Sequence, residues 1–423
     1  MKKSRILLLV CIVPVVLCIV SYPLFRNLVW LFDAQVKQHP WLWGLFAGVA
    51  LLVLTICVVF IAISQFSAST AIYYISRGAE ILLFSMIDLL FLTLLMEILY
   101  GAIKPLRSHK VLVTSIVLAV VVVYQIVGHI RGNIRRKRNL KISSPRVQDS
   151  FRIVHLTDIH LGSHLPSRLK KIVAEVNKLN ADLVCITGDL TDTRQIVTTN
   201  QPEEGSDRLL PTNAFYPLNE LKSSSGVFFV SGNHDIGSGR EELYNILGKC
   251  PNVKILSNES QIVKIPSKQT QIKLIGIEDG EAEYFVDSAK KLKGASPEDN
   301  HAVEGYQSKD PQNASSLYTV LLHHRPHKRV WRDVMHLLDV DMFLAGHTHA
   351  GQMMFLRPLV WLVHNPDVWL STLDEKNKKE NSSILSYDQP FMYVGPGTGT
   401  AGTSKRTSYI CEITIFDVSP SSS

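Results

Sequence analysis

Up to about Ile130 the chain is a succession of apolar runs, and beyond Arg131 it becomes an ordinary mixture of charged, polar and apolar residues. This break constrains the fold more than any average composition does. A helix needs roughly 20 apolar residues to cross a bilayer. Four stretches qualify: Ile6–Tyr22, Trp41–Ile63, Ile81–Ile103 and Val111–Ile130. The expected organisation is a membrane region over 1–130 with about four transmembrane helices, a basic juxtamembrane linker over 131–150, and one domain over 151–423. The last of these is long enough to bury a large core by itself.

The first stretch begins like a signal peptide, with Lys2, Lys3 and Arg5 ahead of an apolar core. No small-x-small cleavage site precedes Tyr22-Pro23-Leu24-Phe25, so an uncleaved helix is expected. Asp88 and Glu97 fall inside the third stretch. Ionisable residues in a membrane often mark function; the plainer expectation is that these two face neighbouring helices.

Charge refines the picture. The formal net charge is +7, and much of the excess sits in Arg131, Arg135, Arg136, Lys137, Arg138 and Lys141. Directly after an apolar run, such a cluster points to a membrane surface rather than to nucleic acid, and no nucleic-acid partner is expected. Met1–Arg5 is basic as well. An even number of spans puts both basic flanks on one side, the cytoplasm by the positive-inside rule, although Lys104, Arg107 and Lys110 then lie opposite. In that orientation the glycosylation sequons at Asn258, Asn313 and Asn381 are silent. The six cysteines are scattered without a CxxC pair, which excludes a disulfide framework and a cysteine zinc site.

From Phe151 onward short β-rich runs alternate with helical patterns. Strands are expected at Phe151–Leu156, Asp182–Ile186, Gly226–Val230, Ile272–Ile277, Leu317–Leu322, Met342–Ala345, Met392–Val394 and Tyr409–Phe416, and a helix over Arg168–Leu179. Polar inserts at Thr193–Pro211, Asp287–Ser316 and Ser371–Asp388 read as loops. The alternation defines a layered α/β class.

Several of these runs end in residues that bind metals: Thr157-Asp158-Ile159-His160, Gly188-Asp189-Leu190-Thr191-Asp192, Gly232-Asn233-His234-Asp235, His323-His324-Arg325-Pro326, and Gly346-His347-Thr348-His349-Ala350-Gly351-Gln352. Sites in open α/β sheets lie beyond the carboxyl ends of strands, so the five ends are expected to meet in one crevice. Imidazole, carboxylate and amide oxygen together suit divalent Mn, Fe or Zn. Alternation along an extended segment would put Asp158 and His160 on one face. One carboxylate can bridge two ions about 3.5–4 Å apart.

These fragments, in this order, resemble the calcineurin-like metallophosphoesterases, whose pattern is Asp-x-His, Gly-Asp-x-x-Asp, Gly-Asn-His-Asp/Glu and Gly-His-x-His. The likeness covers nearly all of Phe151–Phe416, and the last motif is similar to that of membrane-associated bacterial members. It implies an α/β/β/α sandwich, here preceded by a helical transmembrane region, and two divalent cations. By the same resemblance Asp158, His160 and His349 would bind the first ion and Asn233, His324 and His347 the second, with Asp189 bridging. His234 would assist the leaving group and Asp235 would orient it. Of the adjacent pair, His324 rather than His323 fits the His-x-Pro form.

The implied activity is hydrolysis of phosphate ester or diphosphate bonds. Tethering at a bilayer, Trp361 and Trp369 near the last motif, and the apolar Leu359–Val363 favour a lipid-borne phosphate; Arg357, Lys405 and Arg406 are candidates to meet it. The alternative is a catalytically weak, metal-stabilised scaffold, or a regulatory domain of a multi-pass protein.

Overall fold

The computed structural model describes residues 41–64, 70–163, 166–192, 196–197, 210–294, 317–354, 356–364, 369–372 and 390–421. The chain divides into two compact units, Met1–Ile130 with Gln201–Leu209, and Arg131–Asn200 with Leu210–Ser423.

In the first unit the apolar runs form helices, because a continuous helix pairs its own backbone groups without help from water. They are α1 (Trp41–Ser64), α2 (Thr70–Ala102) and α3 (Lys110–Asn133), the last continuing into the second unit. Among the described residues, α3 is the one helix long and apolar enough to cross a membrane. The run Ile6–Tyr22 lies outside the described residues. Asp88 on α2 is buried and accepts a hydrogen bond from Gln125 Nε2 of α3 at 2.7 Å. It thus faces a neighbouring helix.

The second unit holds two six-stranded sheets. The first has the order β1-β14-β2-β3-β6-β7, formed by Arg135–Ser144, Cys411–Pro420, Phe151–Leu156, Leu183–Thr187, Val227–Val230 and Val253–Ile255. The second has the order β12-β13-β11-β10-β9-β8, formed by Trp369–Thr372, Phe391–Val394, Met342–Ala345, Tyr318–Leu322, Gln271–Gly276 and Glu259–Lys264. A short pair, β4 (Ile196–Val197) with β5 (Leu210–Pro211), stands apart.

Alternation along each strand separates the layers. Ile153, Leu183, Phe228 and Phe416 of the first sheet meet Leu274, Val320, Leu344 and Tyr393 of the second in one central core. The other face of the first sheet, with Val154, Val184 and Phe229, packs under α4 (Pro166–Val176) and α5 (Asn233–Leu247). That of the second, with Ile275, Leu321 and Phe343, packs under α6 (Ala282–Gly294) and α7 (Trp331–Leu338). This is the expected α/β/β/α sandwich.

Two expectations change. The basic segment read as a linker carries β1, which runs parallel to β14 at the sheet edge. Leu140 and Ile142 face the central core, while Arg136, Lys137 and Lys141 stay exposed. Charged side chains on an edge strand also discourage pairing with other chains. The insert expected from Asp287 begins inside α6, whose buried Phe285, Ser288 and Ala289 carry the helix on to Gly294.

Candidate metal centre

The five strand ends come together at one rim of the sandwich. β2 delivers Asp158 and His160, β3 delivers Asp189, β6 leads through Gly232 into Asn233 and His234 at the start of α5, β10 delivers His324, and β11 delivers His347 and His349. Apart from the Asn233–His234 step and His324, the backbone turns by left-handed conformations: φ is 53° at Asp158, 53° at His160, 50° at Asp189, 72° at His347 and 50° at His349. Such values are uncommon for residues with a Cβ, and they gather where surrounding contacts compel them. Asp158 and His160 therefore share the site through two left-handed turns, not through the strand alternation expected from Asp-x-His.

What compels these turns is a lattice of backbone hydrogen bonds. Asp158 N donates to Gly188 O (3.1 Å), His160 N to Asp189 O (3.0 Å) and Leu161 N to Leu190 O (2.8 Å). Two glycines permit the close approach. Gly188 has φ 81°, and a Cβ there would lie 2.7 Å from His324 Nδ1. A Cβ on Gly346 would collide with the Thr157 hydroxyl and lie 2.5 Å from Asp158 Oδ2.

Two groups of side chains result, each with ligand atoms within 4.8 Å of one another: Asp158, His160 and His349, and Asp189, His324 and His347. In the first, His349 Nε2 is 3.3 Å from Asp158 Oδ1 and 2.9 Å from His160 Nε2. In the second, His324 Nε2 is 3.0 Å from Asp189 Oδ2. The same oxygen is 3.8 Å from His160 Nε2, so Asp189 stands between the groups.

Support from below sets orientation and tautomer. The Thr157 hydroxyl lies 2.8 Å from Asp158 Oδ2, and His347 N donates to the same carboxylate at 3.1 Å. The Thr187 carbonyl accepts from His324 Nδ1 at 2.8 Å, which turns Nε2 toward Asp189. A second-layer acceptor of this kind fixes metal-binding histidines.

The donor set fits divalent cations. Asn233 Oδ1 is shielded from solvent and has no hydrogen-bond partner. Burial disfavours a charged His324, yet Asp189, Asp158 and Asp279 outweigh it and hold its pKa up to about 10. The potential inside the cluster is therefore strongly negative, as a cation site requires.

His234 stands at the open side, 28% exposed, with Nδ1 3.3 Å from Asp192 Oδ1 and Nε2 4.0 Å from Asp189 Oδ2. Burial opposes its imidazolium, but the Asp192 and Asp189 carboxylates prevail and raise its pKa. Burial likewise opposes the Asp192 carboxylate, while His234, His160 and Ser163 hold it well below the usual carboxylate range. His160, Asp192 and His234 form a third compact group.

Asp235 does something other than the expected orienting of His234. It is fully buried and accepts from Gly232 N (2.9 Å), Thr191 N (2.8 Å) and Thr191 Oγ1 (2.8 Å). It thereby ties the Asp189–Asp192 turn to the start of α5. The partner of His234 is Asp192, to which the family resemblance assigns no role. Its signal was the second Asp of Gly188-Asp189-Leu190-Thr191-Asp192.

Other residues fall outside the groups. His323 turns to the opposite face, stacked on Phe285 at 4.2 Å with Nδ1 against Ile277 O at 3.0 Å. Lys405 and Arg406 are 0% exposed, so neither meets a substrate phosphate. Arg406 instead donates to the carbonyls of His349 (3.1 Å) and Gly399 (3.0 Å) and braces the turn that carries His349. The Arg357 guanidinium lies over the Tyr409 ring at 4.6 Å.

Residues 151–351 match the family model described as calcineurin-like phosphoesterase. An uncharacterized metallophosphoesterase of Campylobacter jejuni is 30% identical over 72% of this chain and 68% of its own length. The chain belongs to the calcineurin-like metallophosphoesterases, whose members are generally hydrolases. It is also similar, at 31% identity over 64% of its length, to a transmembrane protein with metallophosphoesterase domain from Danio rerio. The chain spans about half the length of that relative and of its bovine counterpart, 53% in each case. A dimetal phosphatase from Danio rerio superposes with a TM-score of 0.30 at 14% identity, over 59% of this chain and 88% of that one, a likeness too low to carry an argument.

Proposed function

We propose that the chain is a membrane-anchored phosphoesterase that uses two divalent cations. Asp158, His160 and His349 would hold one, and Asn233, His324 and His347 the other, with Asp189 shared between them. The observation that carries this reading is the position of Asp189 Oδ2, 3.0 Å from His324 Nε2 on one side and 3.8 Å from His160 Nε2 on the other. Bound cations would neutralise charge on phosphoryl oxygens and lower the pKa of a coordinated water.

The chain's own groups do the rest. The Asp192 carboxylate, 3.3 Å from Nδ1, stabilises the His234 imidazolium, whose Nε2–H faces the site. From there it donates to the leaving oxygen, a transfer worth about 10²–10⁴-fold. Thr157, Thr187 and Asp235 hold the ligand turns in place, which limits reorganisation during reaction. No nucleophilic Ser or Cys is required.

The anchor consists of the apolar runs of 1–130 as several spans, with the domain of 151–423 on the cytoplasmic side and the basic β1 next to the bilayer. The apolar α3 and the name of the fish relative support a membrane setting. The substrate is a phosphate ester or diphosphate, drawn from a lipid by virtue of the tether. Purified full-length chain with Mn should hydrolyse aryl phosphate mono- or diesters, and Asp189→Asn should reduce turnover to background. Unchanged turnover in that variant would overturn the site, and no turnover in the wild type would favour a metal-stabilised scaffold.

A further inference from the structure

Directly after the turn that carries His349, the second unit puts an apolar helix on its surface. This helix, α8 (Arg357–Val363), buries none of its residues. Leu359, Trp361, Leu362 and Val363 are 60%, 51%, 64% and 56% exposed, and Met354 just before them is 58% exposed. Single exposed apolar residues are ordinary on a protein surface; a contiguous group that includes a Trp marks an interaction site. Among the described residues nothing covers these side chains.

Two observations decide what covers it. The first is charge. Lys328 reaches the helix end, with Nζ 3.2 Å from Leu362 O, and Arg329 beside it is exposed. Arg357 opens the helix, its guanidinium against Tyr409. An apolar surface with Trp among its apolar residues and a basic rim is the pattern of a helix lying in a membrane interface, where it sinks about 5–10 Å to the boundary of headgroup and acyl chain. The second is the tether. The same chain carries α3, apolar and long enough to span a bilayer, so a lipid surface is present at high effective concentration. With a formal net charge of +7, a second copy of the chain is a poorer complement to the basic rim than an anionic lipid surface.

The helix also adjoins the chemistry. It ends at His364, whose ring meets that of His347 edge to face with centroids 5.2 Å apart. One residue therefore separates the apolar segment from the candidate metal centre.

We propose that α8, with Met354, is an interfacial anchor that seats the mouth of the metal centre on a bilayer, so that the centre takes its phosphate from lipid headgroups. The substrate half rests on the phosphoesterase reading; the docking half does not.

The test uses the full-length chain in nanodiscs containing an anionic lipid. An environment-sensitive fluorophore is placed at Leu362→Cys and, as a control, at Lys290→Cys on α6, whose side chain is 64% exposed. The expected result is a blue-shifted emission at 362, quenched several-fold more strongly by spin-labelled lipid than at 290. Equal quenching at both sites overturns docking. So does a blue shift at 362 without lipid quenching, which would indicate a protein partner or a second copy.

For the substrate half, two chromogenic esters with one leaving group are compared: hexadecyl p-nitrophenyl phosphate in the nanodisc and methyl p-nitrophenyl phosphate in solution. The double variant Leu359→Asp, Leu362→Asp alters only exposed side chains. It should lower kcat/KM about ten-fold for the long-chain ester and leave the soluble one unchanged. Equal loss on both overturns the substrate half. If the wild type cleaves neither these diesters nor p-nitrophenyl phosphate, the phosphoesterase reading fails; cleavage of that monoester alone overturns the substrate half, and in either case the fluorescence still decides the docking.

Discussion

At the scale of single residues, two aspartates that the motifs set side by side have separate tasks. Asp192 meets His234 at 3.3 Å, and Asp235 caps three backbone amides and a hydroxyl. Asp192→Asn is expected to lower kcat about 10²-fold, measured by steady-state kinetics. Asp235→Ala leaves those buried donors without an acceptor and should cost about 1–3 kcal/mol of stability, read from denaturant unfolding. If the two variants showed the same phenotype, the division of labour would be wrong. Asn258 offers a further residue-level expectation. Its Nδ2 donates to Tyr284 OH at 2.7 Å and its Oδ1 accepts from Glu278 N at 3.2 Å, so a sugar on Nδ2 would break a formed bridge. The full-length chain should carry no glycosidase-sensitive mass at Asn258.

At the scale of elements, the edge of the first sheet joins three strands through one carboxylate. Asp417 on β14 accepts from Arg152 on β2 at 2.6 Å and from Asn139 on β1 at 3.0 Å. Burial opposes its charge, but those partners hold its pKa below the usual carboxylate value. A depressed folded-state pKa stabilises above the unfolded value of about 3.9 and loses that contribution as pH falls through the folded one. Asp417→Asn should cost about 1 kcal/mol at pH 7, and its gap from the wild type in urea unfolding should close below about pH 4. A gap that stayed constant with pH would refute the electrostatic account. Gly346 makes the corresponding point for the metal turns. Gly346→Ala forces the new Cβ against Thr157 and Asp158, so activity should fall sharply although every ligand remains.

At the scale of the molecule, the second unit encloses carboxylates and imidazoles whose mutual repulsion a cation would relieve. Dialysis against a chelator should lower the unfolding midpoint of the second unit, and Mn should restore it. Free ligand at 100-fold its Kd contributes about 2.7 kcal/mol. A midpoint insensitive to both treatments would count against the metal centre. The cytoplasmic orientation is tested by protease access to the domain in intact and in permeabilised cells. Cleavage before permeabilisation would place it on the other side.

Much of this was legible in the chain alone, for local physical reasons. Short apolar runs such as Phe151–Leu156 and Met342–Ala345 bury both faces in a layered sheet, and they carry ligand residues at their ends. The strand β1 was masked by its charge, because Leu140 and Ile142 are too few to announce a strand before β14 lies beside them. Tertiary structure alone decided which aspartate serves His234, since Asp192 and Asp235 both flank the site in sequence and differ only in where the turns aim them. It also decided that Lys405 and Arg406 lie buried behind His349, where carbonyls of the surrounding loops accept from the Arg406 guanidinium. Ligand identity is local chemistry and is written in the motif; the direction of a side chain depends on backbone turns that distant hydrogen bonds impose.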